Sequence, residues 1–136
     1  MIRPIQHDPM FLSQKSSDAS TSDAAVAQDL LDTFQAHRKN CIGMAANMIG
    51  QLKNIIVIDF IPQPLLMYNP RIVQQSDPYQ TSEGCLSLDG KRPTTRFRLI
   101  TVVYLDKNFQ KRRLSLTDLY AEIVQHEIDH VNGILI

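Results

Sequence analysis

Two histidines and a glutamate near the end of the chain have the spacing of a metal-binding helix. Residues 125–130 read QHEIDH and contain the pattern H-E-x-x-H as His126, Glu127 and His130. Residues four positions apart lie on one face of an α-helix, so both imidazoles can reach one divalent ion. Glu127 would lie beside the ion without ligating it, where its carboxylate can take a proton from a metal-bound water. The alternative is a solvated helix face that carries two histidines by chance.

A third ligand is needed, because catalytic sites for zinc and similar ions usually take three protein ligands and leave one position open. The six residues after His130, VNGILI, contain no Cys, His, Asp or Glu. The third ligand is therefore expected upstream, unlike in the usual H-E-x-x-H metallopeptidases. Cys85 is the better candidate, since a thiolate binds zinc or ferrous iron strongly and Gly84 leaves space beside it. Cys41 is the competitor, and either thiol could instead be buried and inert.

The composition predicts one soluble, cytoplasmic domain that covers residues 1–136. The 14 basic and 14 acidic residues give a formal net charge of zero, so no binding to nucleic acid or to an anionic membrane is expected. No apolar run is long enough to span a membrane, and the N-terminus lacks the apolar region of a signal peptide. Two cysteines are too few for a disulfide scaffold, which favours metal-bound or reactive thiolates in a reducing compartment.

The elements that position these residues follow from the hydrophobic pattern. Residues 1–12 are expected to form an extended arm, followed by a polar loop. A cluster of N-cap residues ending at Asp23 predicts a helix that continues to about Lys39, with a repeating apolar stripe at Val26, Leu30 and Phe34. The small residues and glycines of 41–50 predict a turn in which the backbone approaches a neighbour or a ligand closely.

The second half of the chain is predicted to be mainly strands, with one helix at the end. The predicted strands are 54–60, 65–68, 71–73, 98–105 and 109–116. Asn69-Pro70 is expected to be a turn, and 74–82 a polar loop. Ser115 or Thr117 caps the final helix, which ends before Gly133.

Three segments together resemble the motifs of the peptide deformylases. They are GMAANMIG at 43–50, EGCLS at 83–87 and QHEIDHVNG at 125–133, in the order and at the approximate spacing of that family. The resemblance implies an α+β fold in which a central metal-binding helix is surrounded by mixed or antiparallel β-sheets. It also implies a hydrolase that removes the formyl group from the N-terminal formyl-methionine of nascent bacterial and organellar proteins, which it would meet at the ribosome.

The resemblance assigns a role to each group of the expected site. Cys85, His126 and His130 would bind one divalent metal, natively Fe²⁺ with Zn²⁺ or Ni²⁺ as substitutes. Glu127 would be the general acid/base, and the backbone N–H of Leu86 would donate to the oxyanion.

The resemblance also implies a substrate groove. The backbones of Gly43 and Gly84 would lie along the peptide, and Ile42 would line the pocket for the methionine side chain. Ile123 supports that pocket independently, because it lies one turn before His126 and faces the same side of the helix. Glu83 would pair with Arg96 and support the cysteine loop.

The first motif departs from the family pattern G-x-G-[LI]-A-A-x-Q, since Cys41 and Met48 replace its first glycine and its glutamine. In the family the glutamine amide donates a hydrogen bond to the oxygen of the tetrahedral intermediate, and methionine has no donor. Loss of one such donor typically costs about a hundredfold to a thousandfold in rate. The local alternative is that the amide of Asn47 or Gln51 takes its place.

Two functional hypotheses therefore stand side by side. The first is a metal-dependent deformylase whose activity is reduced by the loss of the glutamine. The alternative is a deformylase-like protein that binds metal and formyl-methionyl peptides with little or no turnover. A peptidase that cuts internal bonds is disfavoured, because the third ligand lies upstream and the pocket of the family favours a chain start.

Overall fold

The computed structural model describes residues 1–136, and its main element is one five-stranded antiparallel sheet. The strands follow the chain order across the sheet, and each pairs with the next. They are β1 (Gly43–Ala45), β2 (Ile55–Phe60), β3 (Gln63–Gly84), β4 (Lys91–Leu105) and β5 (Lys111–Thr117). The predicted α+β class is therefore confirmed, and of the two predicted sheet types, mixed or antiparallel, the sheet is antiparallel.

Three α-helices accompany the sheet. They are α1 (Pro9–Leu12), α2 (Ala24–Ala36) and α3 (Asp118–Val131), with 3-10 turns at Thr21–Asp23 and Ala46–Ile49. Helix α3 packs against β1, β2 and β4, so the helix that carries H-E-x-x-H lies centrally. The fully buried side chains of Leu30, Phe34, Ile56 and Met67 form part of the common core. None of the helices has the length and apolar character required to cross a membrane.

The prediction of two short strands and a polar loop between residues 65 and 82 is wrong, because β3 is continuous through this region. Asn69 takes a left-handed φ of 51° within the strand. The pairing with β4 shifts between Tyr68 and Arg71, so the strand bulges instead of turning back. The outer half of β3 is largely exposed, and its polar sequence therefore lacks the alternation that identifies a half-buried strand.

The helix boundaries differ less from the prediction. The arm contains the short helix α1, whose first turn is capped by the side chain of Asp8. Helix α2 ends at Ala36 instead of about Lys39. Thr117 occupies the N-cap position of α3, as one of the two alternatives predicted, but its side chain makes no capping hydrogen bond.

Strand β1 is the element that the sequence did not reveal. It lies within the segment 41–50. The 3-10 turn Ala46–Ile49 follows it and is capped by Gly50, whose backbone is in the left-handed conformation. Strand β4 likewise begins at Lys91, seven residues before the predicted strand, because its first residues pair with the exposed half of β3.

Candidate metal centre

Three possible ligands converge beside α3. His126 and His130 lie one turn apart on the helix, and Cys85 faces them from the loop after β3. The Nε2 atoms of the two histidines are 3.1 Å apart, and Sγ of Cys85 lies 3.1 Å from Nε2 of His130. All three ligand atoms lie within 4.8 Å of one another. Metal–ligand bonds of a tetrahedral zinc site place neighbouring ligand atoms roughly 3.3–3.6 Å apart, so the cluster fits one ion with small adjustments.

The ring of His126 is oriented by an acidic neighbour. Its Nδ1 donates to Oε1 of Glu83 at 2.7 Å, which leaves Nε2 to face the cluster. Burial opposes a positive charge on His126, but the bonds to Cys85 and Glu83 raise its pKa to about 10. These surroundings favour positive charge at the cluster, which a divalent cation would supply. Burial and the nearby His126 lower the pKa of His130 to about 3, so this ring is neutral, as a ligand must be.

Glu83 is held in turn by Arg96, the partner expected from the motif. The guanidinium Nη2 and Nε donate to the two carboxylate oxygens at 2.7 and 3.0 Å, and Nη1 donates to Asp129 at 2.7 Å. Arg96 and Glu83 are only 4% and 7% exposed. Burial alone would raise the pKa of Glu83, but hydrogen bonds from His126 and Arg96 lower it to about 2. The carboxylate therefore stays ionised and keeps His126 in one orientation.

Glu127 follows His126 on α3 but lies outside the ligand cluster. It is 4% exposed, and its Oε1 has no hydrogen-bond partner in the chain. Burial raises the pKa of Glu127 to about 7, against the opposing effect of His126. A carboxyl group that titrates near neutral pH can both accept and release a proton, as a general acid/base must.

A cavity of about 490 Å³ opens beside the cluster. It brings together the residues that the sequence predicted to meet substrate, which are Ile42, Gly43, Met48, Gly84, Leu86, Ile123 and Glu127. Two further residues of α3, Leu119 and Glu122, line it as well. They precede His126 by seven and four residues, so helical spacing alone would have revealed them.

The two amides that could replace the missing glutamine, those of Asn47 and Gln51, do not reach the cavity. The Met48 sulfur accepts a hydrogen bond from the backbone N–H of Ala45 at 3.4 Å. Asn47 is fully buried and donates through Nδ2 to the carbonyl oxygen of His130 at 2.7 Å, while Gln51 is exposed. Neither residue lines the cavity, so the alternative that one of these amides replaces the missing glutamine is wrong.

Cys41 lines the cavity but does not belong to the ligand cluster. Its thiol donates to the carbonyl oxygen of Gly43 at 3.4 Å. Burial, followed by the charge of Glu127, raises the pKa of Cys41 to about 12. A thiol that stays protonated is a poor metal ligand, and of the two cysteines only Cys85 lies in the cluster.

Comparison with known proteins gives a consistent result. Residues 2–136 match the family model described as polypeptide deformylase. The chain is 46% identical over 136 residues to a peptide deformylase of Clostridium beijerinckii, and the match covers 100% of both chains. It is 35% identical over 136 residues to a peptide deformylase of Finegoldia magna, with 96% of this chain and 83% of that protein covered.

Solved structures agree with the sequence comparison. A crystal structure of a peptide deformylase from Legionella pneumophila superimposes with a TM-score of 0.89 at 32% identity, covering 99% of this chain and 83% of the other. A class I type b peptide deformylase from Acinetobacter baumannii, crystallised with Met-Ala-Ser bound, gives a TM-score of 0.88 at 25% identity, with 99% and 97% covered.

Proposed function

The chain belongs to the peptide deformylase family, and we propose that Cys85, His126 and His130 hold the metal ion of a single catalytic domain that spans residues 1–136. The protein is a hydrolase that removes the formyl group from formyl-methionine at the start of nascent proteins. The observation that carries the site assignment is the convergence of three ligand atoms within 4.8 Å beside a cavity that also contains Glu127.

The donor set suits Fe²⁺, Zn²⁺ or Ni²⁺, because one thiolate and two imidazoles are ligands that these ions accept. We infer Fe²⁺ as the native ion, from the family resemblance. When bound, such an ion polarises the formyl carbonyl and lowers the pKa of water. The Glu83 carboxylate orients His126 toward the ion, and Arg96 holds Glu83 in place.

Glu127 moves the proton of the reaction. In the proposed sequence its carboxylate takes a proton from the attacking water as the water oxygen bonds to the formyl carbon. The same carboxyl group then gives the proton to the amine as the C–N bond breaks, so formate and a free N-terminus are released. The burial of Glu127 suits this role, since it brings the pKa of the group to about 7.

The substrate would bind along the free edge of β1. This strand pairs only with β2, so its other edge is available to an extended peptide. The first side chain would lie against Ile42 and Ile123, and the backbones of Gly43 and Gly84 would flank the chain. The Acinetobacter relative was crystallised with a peptide that begins with methionine, in keeping with this arrangement.

The N–H of Leu86 is the proposed oxyanion donor. Leu86 lies in a loop, and its N–H donates no backbone hydrogen bond within the chain, so it is free to reach a substrate oxygen. We further infer that the enzyme acts in the cytoplasm on chains at the ribosome, with no direct binding to nucleic acid or membrane.

The test is a deformylation assay on protein prepared without oxygen and loaded with iron or nickel. Formate release from formyl-Met-Ala-Ser is measured for the wild type and for Glu127→Ala. We expect turnover by the wild type and a loss of at least about a hundredfold in the variant. Equal rates for the two proteins, with metal bound in both, would overturn the assignment of Glu127. Peptide binding without formate release would instead favour the alternative hypothesis, a deformylase-like protein that binds formyl-methionyl peptides with little or no turnover because Met48 replaces the glutamine.

A further inference from the structure

The loop after β3 carries two groups of the proposed site but has little backbone support of its own. It spans residues 85–90, between β3 and β4, and contains Cys85 and Leu86. No backbone–backbone hydrogen bond involves this loop, since all such bonds outside the helices and strands lie elsewhere in the chain. The position of the loop therefore depends on side chains that bond to its backbone N–H and carbonyl groups.

Only one of these side chains comes from a distant part of the sequence. The Ser87 N–H donates to Sγ of Cys85 at 3.4 Å, which is a contact within the loop. Nη1 of Arg92 donates to the carbonyl oxygen of Asp89 at 3.3 Å, which is also a local contact. Nδ1 of His7 lies 3.0 Å from the carbonyl oxygen of Ser87, and these two residues are 80 positions apart. His7 therefore links the loop to the N-terminal arm.

The arm itself is fixed by hydrogen bonds on both sides of His7. Oε1 of the Gln6 side chain accepts the backbone N–H groups of His7 and Asp8 at 3.0 and 2.9 Å. The backbone N–H of Gln6 donates to the carbonyl oxygen of Met48 at 2.7 Å. The side chain of Asp8 caps α1. The arm therefore bridges the turn that contains Met48 and the loop after β3.

The bond to Ser87 requires a proton on Nδ1 of His7, because a carbonyl oxygen can only accept. Both the neutral ring with its proton on Nδ1 and the imidazolium supply this donor. The bond fixes the carbonyl of Ser87, the residue directly after Leu86. Because the N–H of Leu86 is the proposed oxyanion donor, its place matters for the rate, and a misplacement of about 1 Å in a catalytic site can cost on the order of a hundredfold.

We propose that His7 is a positioning residue for the reaction, which anchors the loop at Ser87 so that the N–H of Leu86 is held where the oxyanion forms. This inference rests on the proposed function. His7 does not line the cavity and is not one of the three ligands. Its contribution therefore lies in the rate of the chemical step and not in the affinity for the peptide.

The test measures kcat and KM of metal-loaded protein on formyl-Met-Ala-Ser for the wild type, His7→Ala and His7→Asn. In His7→Ala we expect kcat to fall about tenfold with KM changed less than about twofold, because the loop loses its anchor while the peptide subsites remain. The buried side chain of Leu88 still holds the end of the loop and limits the fall. In His7→Asn kcat should return to within about threefold of the wild type, because the side-chain NH₂ can donate to the same carbonyl.

His37→Ala is the matched control. Nδ1 of His37 also bonds a backbone carbonyl, that of Thr33 at 2.9 Å, but it does so at the end of α2 and does not line the cavity. Its kcat should equal that of the wild type. A kcat of His7→Ala within about twofold of the wild type would overturn the inference. An equal fall in His7→Asn, or in His37→Ala, would overturn it as well.

Backbone dynamics separate this inference from the proposed function. Order parameters of the Leu86 and Ser87 amides are measured by NMR relaxation in zinc-loaded protein, which needs no turnover. They should fall in His7→Ala and keep the wild-type values in His37→Ala. Such a fall supports the anchor at His7 even if no protein hydrolyses formyl-Met-Ala-Ser, and that second result would count against the proposed function alone. Order parameters that do not change in His7→Ala overturn the anchor even where deformylation is rapid.

Discussion

Asn47 and His130 are joined by a buried hydrogen bond, in which Nδ2 of Asn47 donates to the carbonyl oxygen of His130 at 2.7 Å. The bond ties the turn that contains Met48 to the last turn of α3. Because the amide of Asn47 is used in this way, it cannot also point into the cavity. In the proposed site the oxyanion therefore has the backbone N–H of Leu86 as a donor and no side-chain amide from Asn47.

Met48→Gln is expected to increase kcat by about one to three powers of ten, because it adds a donor for the charge that develops on the oxygen. The Met48 sulfur accepts the N–H of Ala45. The amide oxygen of a glutamine can accept the same N–H, which leaves its NH₂ group for the oxyanion. KM should change less than kcat, since the new bond strengthens in the transition state. Both constants are measured on formyl-Met-Ala-Ser.

The controls for this prediction are Gln51→Ala and Asn47→Ala. Gln51 is exposed and away from the cavity, so its variant should keep the wild-type kcat. Asn47→Ala should lower the free energy of unfolding by about 1 kcal/mol through the lost hydrogen bond. Abolished turnover in Gln51→Ala, or an unchanged kcat in a folded Met48→Gln, would contradict the hypothesis that a missing hydrogen-bond donor to the oxyanion limits kcat.

Metal binding is expected to depend on Cys85, His126 and His130 and not on Cys41. Cys85→Ser, His126→Ala and His130→Ala should each lose the ion on dialysis, because two ligands do not hold it. Cys41→Ser should retain about one ion per chain, since Cys41 is outside the cluster and its thiol stays protonated. Metal content per mole of protein is the measurement. An empty site in Cys41→Ser alone would show that the ligand set is wrong.

Arg96→Leu should lower the free energy of unfolding by about 3–5 kcal/mol, because it leaves the buried Glu83 without its partner. Metal affinity should also fall about 10- to 100-fold, since Glu83 orients His126. Urea unfolding and metal titration measure the two effects. Arg112→Leu is the control, as Arg112 forms an exposed ion pair with Asp106 and should change neither quantity appreciably. Equal effects of both substitutions would argue against a special role for Arg96.

Gly43→Ala is expected to reduce kcat by about a hundredfold while the metal is retained. A Cβ atom at this position would lie 2.8 Å from Oε2 of Glu127 and 2.8 Å from Cγ2 of Ile123, so the proposed acid/base must move. The rate and the metal content are measured together. At Gly84 the nearest atom to an added Cβ is a backbone oxygen at 3.5 Å, an ordinary contact, so Gly84→Ala serves as the control for stability. A normal rate in Gly43→Ala would show that Glu127 tolerates displacement.

The sequence alone determined the family, the fold class and the grouping of the site. The H-E-x-x-H spacing is a local property of one helix, because hydrogen bonding along the backbone sets which residues share a face. The approach of Cys85 to His126 is not local, and it was inferred through the motif around the cysteine. In the structure Cys85, His126 and His130 lie close together, and the Glu83–Arg96 ion pair forms as predicted.

Tertiary structure alone decided the features that depend on contacts between distant segments. The strand β3 runs on through Asn69 and a polar stretch because β4 pairs with it, and pairing partners are not encoded in local hydrophobicity. The amide of Asn47 is used by a carbonyl 83 residues away, which no local pattern indicates. Helical spacing places Glu122 on the same face as His126, but only the packing of α3 against the sheet makes that face the wall of a cavity.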